Sequence, residues 1–335
     1  MLGFTLKRNP FPALLLLISI IGLSRTTTAQ QSDTTRPNSS ETNILLDDLV
    51  AAIDRDDKLE VMRVLSNGFP ANVTDSKGST MLMQAAKGGK VNVATLLLDS
   101  GADPNLVASN GATALMLAVS GGHSSTVRAL LSNGADPNIH GSGMPAALTY
   151  ATAVDNAEIL SALVNAGADL STKDQRGYDA LEFAFLNKKS AALKFLRPLY
   201  MDRESLAGVK SDKFSQAILE KNDAVLIRWL ALGSDPVALI DKQMPLELAI
   251  AGGYGTGVAL LVHAGANVNQ TTRNGVPVWW TAIPKNKSDA VNPTVFKTLM
   301  KSGADLNLKA KGKTAVEFAG SNKEAVAILK ANGAR

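Results

Sequence analysis

Apolar and polar positions along residues 111–138, GATALMLAVSGGHSSTVRALLSNGADPN, predict two short helices set back to back. Thr113 is placed to N-cap the first, Ala114 to Val119, its hydroxyl accepting a backbone N–H for about 1 kcal/mol. Gly121 and Gly122 break that helix, and a second runs from about Ser124 to Ser132, with Val127, Leu130 and Leu131 on one apolar face. Gly134 suits the left-handed residue that ends a helix, and Asp136-Pro137-Asn138 turns the chain outward. Helices this short are unstable alone in water, so the unit must stack on copies of itself.

The copies are present and in phase. The glycine that closes the second helix recurs as Gly68, Gly101, Gly134 and Gly167, a spacing of 33 residues. GSTMLMQAA from Gly78 and GATALMLA from Gly111 resemble the ankyrin signature G-x-T-P-L-H-x-A, with Met83 and Met116 where that family has histidine. Gly122-His123 is similar to the start of its second helix, and LLSNGADPN from Leu130 to its ending. The resemblance, to an exported, bacterial member of the ankyrin-repeat family, implies an all-α repeat solenoid: stacked helix-turn-helix units with projecting β-turn or hairpin tips.

Taken in order, residues 1–29 read as a signal peptide. Lys7 and Arg8 head an apolar run from Leu14 to Leu23, and Thr27-Thr28-Ala29 is a small-residue cleavage site, expected near Ala29. Residues 30–43 read as a flexible linker and 44–335 as a solenoid of about nine units, degenerate near 198–238. In the first unit Leu45, Leu46, Leu49, Val50 and Ile53 form one face and Leu59, Met62, Val64 and Leu65 the next. Asp47, Asp48, Asp54, Asp56 and Asp57 mark the solvated side of a terminal cap rather than a metal or acid–base site. Met144 replaces the turn glycine of the fourth unit, and Phe183, Phe185 and Phe195 add bulk to the fifth that is expected to bend or thicken the stack. Around 198–212 the repeat ending is lost, yet Leu163, Leu196 and Trp229 keep the 33-residue phase, which favours one continuous solenoid over two domains. The eighth unit places its first helix at Trp279 to Ile283 and inserts a long loop, Pro284 to Pro293, before the second, and the last unit, Lys309 to Arg335, is the C-terminal cap.

Charge changes this picture little. The formal net charge of +4 falls to +1 once Lys7, Arg8 and Arg25 leave with the signal, so the balance gives no support to nucleic-acid binding. Its layout is uneven: residues 30–106 carry seven basic and eleven acidic side chains, residues 271–335 eleven and four, which reads either as plain solvated surface or as a footing for steering an acidic partner to the C-terminal half. Absence of cysteine leaves no disulfide and no thiol nucleophile.

No motif for chemistry emerges. Gly312-Lys313-Thr314 ends like a phosphate loop but has Asn307 where the earlier glycine belongs, and Gly141-Ser142-Gly143 lacks the five-residue nucleophile layout. His123, His140 and His263 fall in separate units of a stack in which only neighbours touch. Asn38, Asn72, Asn269 and Asn286 stand in N-x-S/T sequons, relevant only in a glycosylating pathway. The reading is therefore no enzyme, no catalytic residue, no metal and no cofactor.

In ankyrin proteins the turn tips and the inner surface of the first helices form the binding groove. The matching positions here are Ser76, Lys77, Lys87, Ser109, Asn110, Ser120, Arg176, Tyr178, Asn187, Arg273, Asn274, Lys311 and Lys313. Trp279 stands where the signature buries leucine, whereas Trp280 is either core or an exposed anchor and is counted with the binding residues. The resemblance implies a non-catalytic protein–protein interaction module, and the signal layout places it outside the cytoplasm, periplasmic or secreted. More specific versions are an immunity-like inhibitor or escort of a secreted enzyme or toxin, and a host-directed effector. A monomer is expected, with an unidentified protein partner, no nucleic acid and no stable membrane insertion after signal cleavage.

Overall fold

The computed structural model describes residues 48–141, 144–203, 210–284 and 290–335. The expected signal peptide and linker, Leu45, Leu46 and Asp47 of the first unit, part of the Gly141–Gly143 turn and residues 285–289 of the Pro284–Pro293 loop lie outside them. The described residues belong to one compact unit, Leu45–Arg335. Helices come in pairs: 48–54 (α1) with Lys58–Ser66 (α2), Met81–Lys87 (α3) with Val91–Asp99 (α4), and Ala114–Ser120 (α5) with Ser124–Ser132 (α6). Ala147–Val154 (α7) follows with Ala157–Asn165 (α8), and Ala180–Leu186 (α9) with Ser190–Arg203 (α10). Beyond them lie Lys210–Leu219 (α11) with Asp223–Ala231 (α12) and Pro245–Ala251 (α13) with Gly255–His263 (α14). A 3-10 helix, Val278–Ala282 (η1), pairs with Pro293–Lys301 (α15), and Ala315–Ala319 (α16) with Lys323–Ala331 (α17).

Side-chain caps fix where several of the first helices start. Thr113 Oγ1 accepts from the Met116 N–H at 3.2 Å, Thr80 from Met83 at 3.1 Å and Thr314 from Glu317 at 3.2 Å, each satisfying an N–H that has no partner inside its helix. Val64, Leu97, Leu130, Leu163, Leu196 and Trp229, one per second helix, are all buried, as are Leu82, Leu115, Leu148, Leu181 and Phe214 along the first helices. Burying such a side chain stabilises by about 1.5–3 kcal/mol, and because its neighbours come from adjacent pairs, the stabilisation belongs to the stacking rather than to any single unit.

Two backbone features hold the register. Between paired helices, residues 56, 89, 122, 155, 188 and 221 all take the left-handed conformation, glycine at 89 and 122 but Asp56, Asp155, Lys188 and Lys221 elsewhere. On the outer edge Asn72, Asn105 and Asn138 each donate to the carbonyl of the next closing glycine (Gly101, Gly134, Gly167) and accept the N–H of Asp103, Asp136 or Asp169. Ser171 and Val237 stand in the later positions of this ladder, and it returns at Asn269, bonded to Gly303 and Asp305.

The regular stack is interrupted after α9. Where Gly68, Gly101, Gly134 and Gly167 end the earlier second helices, position 200 is tyrosine, so α10 runs on to Arg203, through Pro198. Its hydroxyl donates to the Leu170 carbonyl at 2.5 Å. The next second helix, α12, packs along α9, a first helix, and Arg197 of α10 donates to the Ala231 carbonyl at the end of α12. Two rows then resume, α11 on α13 on η1 and α12 on α14 on α15.

Several expectations change. Leu59 is 77% exposed and Met62 41%, and Val61 joins Val64 in the core instead. The first helix of the eighth pair is a tight 3-10 turn rather than an α-helix. Its adjacent tryptophans both point inward, Trp279 edge-on to Trp280 (ring centroids 6.1 Å) and to Phe296 (6.4 Å), with Trp280 on Phe318 of the last pair at 4.9 Å.

Candidate partner-binding surface

Fingers join each second helix to the following first helix, and two designs recur. In the N-terminal half an Asp or Asn side chain folds the tip, Asn110 Oδ1 accepting the Ala112 N–H at 3.1 Å in the second finger. Asp75 Oδ1 accepts from the N–H groups of Lys77 and Ser79, both at 2.8 Å, and Asp174 Oδ1 from those of Arg176 and Tyr178, both at 2.9 Å. Neighbouring tips are tied by their main chains: Ser109 N–H donates to the Lys77 carbonyl at 3.1 Å and Gly141 N–H to the Gly111 carbonyl at 2.9 Å. A side chain at Gly141 would collide with the Gly111 backbone, so only glycine allows that approach.

The C-terminal fingers are tighter. Ile240 pairs with Gln243 around Asp241 (φ 47°) and Lys242 (φ 72°), and Ala310 pairs with Lys313 around Lys311 (φ 52°) and Gly312 (φ 74°). Two successive positive φ angles are the hallmark of the two-residue type I′ hairpin. Between them Thr271 pairs with Pro277 around a longer turn, and the alkyl chain of Lys311 passes beside Gly275 of that turn.

This surface presents most of the residues expected from the sequence. Ser76, Lys77, Ser109, Asn110, Arg273, Asn274, Lys311 and Lys313 are exposed on fingers, and Lys87, Ser120 and Asn187 are exposed at the far ends of α3, α5 and α9. Arg176 is exposed but held, 3.3 Å from Asp174 and over the rings of Tyr178 (5.5 Å) and Phe183 (5.7 Å). Tyr178 is half-buried. Trp280 is the correction. At 1% exposure it belongs to the core, because the 3-10 turn directs it onto Phe318, and it offers no surface to a partner. Sequence reasoning missed Val237 and Leu239, which are 38% and 53% exposed in the Asp241–Lys242 finger. The degenerate sequence of that repeat, with valine at the ladder position, hid them, and their only signal was two aliphatics beside a turn with no glycine.

A second feature is a recess of about 360 Å³ where α12 meets α9, lined by Leu170, Lys173, Asp179, Glu182, Tyr200 and Arg228 among others. Asp179 Oδ1 caps α9 by accepting the Glu182 N–H at 3.0 Å, its Oδ2 accepts from Arg228, and the Arg228 guanidinium lies 4.8 Å over the Tyr200 ring. Burial, and then the charge of Asp179, pushes the Glu182 carboxyl above the usual carboxylate range, and burial likewise raises the Tyr200 hydroxyl. These groups cap one helix and clamp another, so the recess is a structural joint. Among the described residues no group of three His, Cys, Asp or Glu side chains is placed to hold a metal ion, and no helix is long and apolar enough to cross a membrane.

Residues 49–141 match the family model for ankyrin repeats, three copies. No curated protein matches the chain. With that match, and with the helix pairs that continue beyond it, their buried second-helix positions keeping the 33-residue spacing as far as Trp229, the fold is an all-α ankyrin-repeat solenoid.

Proposed function

We propose that this protein is a non-catalytic binding module working outside the cytoplasm, which takes a partner protein on its fingers and on the exposed ends of its first helices. Ankyrin repeats are protein–protein interaction modules, and one observation carries the reading to these residues. The finger side chains are solvent-facing while their main chains are fixed by Asx turns, tip-to-tip hydrogen bonds and I′ hairpins. A rigid row of exposed side chains loses little entropy on docking. About 800 Å² per partner, a standard interface, takes three or four repeats. Export rests on the signal layout of residues 1–29.

The test is a partner captured by the full chain from extract of its native host, then titrated against two charge-changed variants, Lys77→Glu with Asn110→Ala, and Arg273→Glu with Lys313→Glu. At least one pair should weaken binding about tenfold or more with helicity unchanged. Full affinity in both would overturn the reading. Intact-mass measurement of the host protein addresses export: a mature chain beginning near Gln30 supports it, and one retaining Met1 removes it.

A further inference from the structure

We propose that the fingers following α12, α14 and α15 form one ridge that docks an acidic protein segment carrying an aliphatic side chain, an inference resting on the protein-binding reading above. Three independent observations meet there. The first is charge. Lys242, Arg273, Lys311 and Lys313 are exposed on these three fingers, and among the described residues none forms an ion pair within 4.0 Å. The fingers also carry Asp235, Asp241 and Asp305, and Glu317, which accepts the Thr314 N–H at 2.6 Å, lies in the field of Lys309 and Lys313; Lys309 adds a fifth cation, so the basic side chains still outnumber the acidic ones.

The second is apolar surface. Leu239 and Val237 stand exposed in the same finger as Lys242. They take the place the buried Trp280 cannot fill: a side chain that loses water when a partner arrives. The third is strain. Asp241, Lys242 and Lys311 hold left-handed backbone without being glycine, a conformation that non-glycine residues keep only where their surroundings enforce it. Such strain persists where a tip must keep one shape and still carry a side chain.

The fingers are held as one body by the stacking of α12 on α14 and α14 on α15, and by Asn269, which bonds Gly303 and Asp305 across the last two. Carboxylates on the partner are attracted to these cations, which speeds encounter, and an aliphatic side chain against Leu239 and Val237 slows release. A neutral or basic segment gains only the second contact.

The experiment titrates the full chain with three fluorescent twelve-residue probes: one of glutamates with leucine at every third position, one with the glutamates changed to lysine, one with the leucines changed to serine. The acidic leucine probe should bind, weakening about tenfold between 50 and 200 mM salt. The other two should bind at least tenfold more weakly. Leu239→Ser should lower affinity roughly fivefold at both salts, and Lys242→Glu with Lys311→Glu should lower it more at 50 mM than at 200 mM. Equal binding of the lysine probe, indifference to both variants, or no binding by the acidic probe would overturn the ridge. A captured partner lost through Lys77→Glu with Asn110→Ala, yet unaffected by the ridge variants, would sink this inference while the protein-binding reading stands.

Discussion

His263 at the end of α14 donates from Nε2 to the main-chain oxygen of Phe185 at the end of α9, 2.8 Å away and 78 residues earlier, with the two rings edge to face at 5.2 Å. A contact spanning that much chain is possible only because α12 lies along α9 and brings the following pair within reach of the fifth. His263→Ala is expected to destabilise the fold by about 1 kcal/mol in urea unfolding. It should also separate the transitions of the segments on either side of the junction. A variant that unfolds at the parental midpoint in one unchanged transition would show that the contact carries no stability.

Much of this architecture was legible in advance, because a 33-residue period in glycine and leucine is written in single residues. Thr113, Gly134 and Leu130 do in the structure what their spacing implied. The step at α10 was legible only as a fading of the pattern. A missing glycine at 200 says that a helix runs on, but not which face of the next pair it will meet, since that depends on Tyr200, Arg228 and Asp179 finding one another across 49 residues or fewer. Trp280 was ambiguous for a similar reason. Sequence spacing placed it next to a buried residue, and only the 3-10 geometry of η1 turns both tryptophans inward.

Glu182 makes stability depend on pH. A carboxyl held above its ordinary value in the folded chain stabilises the fold while protonated, below the usual carboxylate range, and loses that contribution as pH rises through the raised value. Asp179, Arg228, Lys173 and Tyr200 face it. Glu182→Gln keeps an acceptor for the Asp179 N–H, now 3.1 Å from Oε2, and removes the ionisation. Melting temperatures from pH 4 to 8 should show the variant more stable than the parent at pH 7, with the gap closing toward pH 4. A less stable variant at pH 7 would mean that attraction to Arg228, 3.8 Å away, outweighs burial.

Lys188 and Lys221 occupy left-handed turns where the second and third pairs have Gly89 and Gly122. Replacing either by glycine should stabilise by about 1 kcal/mol, the strain relieved less the added freedom of the unfolded chain. Calorimetry decides it, and a fall in melting temperature would mean that the lysine side chain makes compensating contacts.

Asn105 bonds Gly134 at 2.9 Å and Asp136 at 2.8 Å, both in the following repeat. Asn105→Ala should destabilise by about 0.5–1.5 kcal/mol, since it removes two hydrogen bonds to a carbonyl and an N–H that water can reach. Ser171→Asn, which restores a ladder residue beside the junction, should not destabilise. If Asn105→Ala unfolds with the parent, water replaces the ladder at no cost.

The central claim is that the finger row recognises a partner protein, and hydrogen exchange on the complex of the full chain with its captured partner tests it most directly. Protection should appear in the amides of 239–243, 273–275 and 311–313 and at the exposed ends of the first helices, with the second helices α4, α6 and α8 unchanged. Protection confined to those second helices, with the fingers exchanging as in the free chain, would contradict the account.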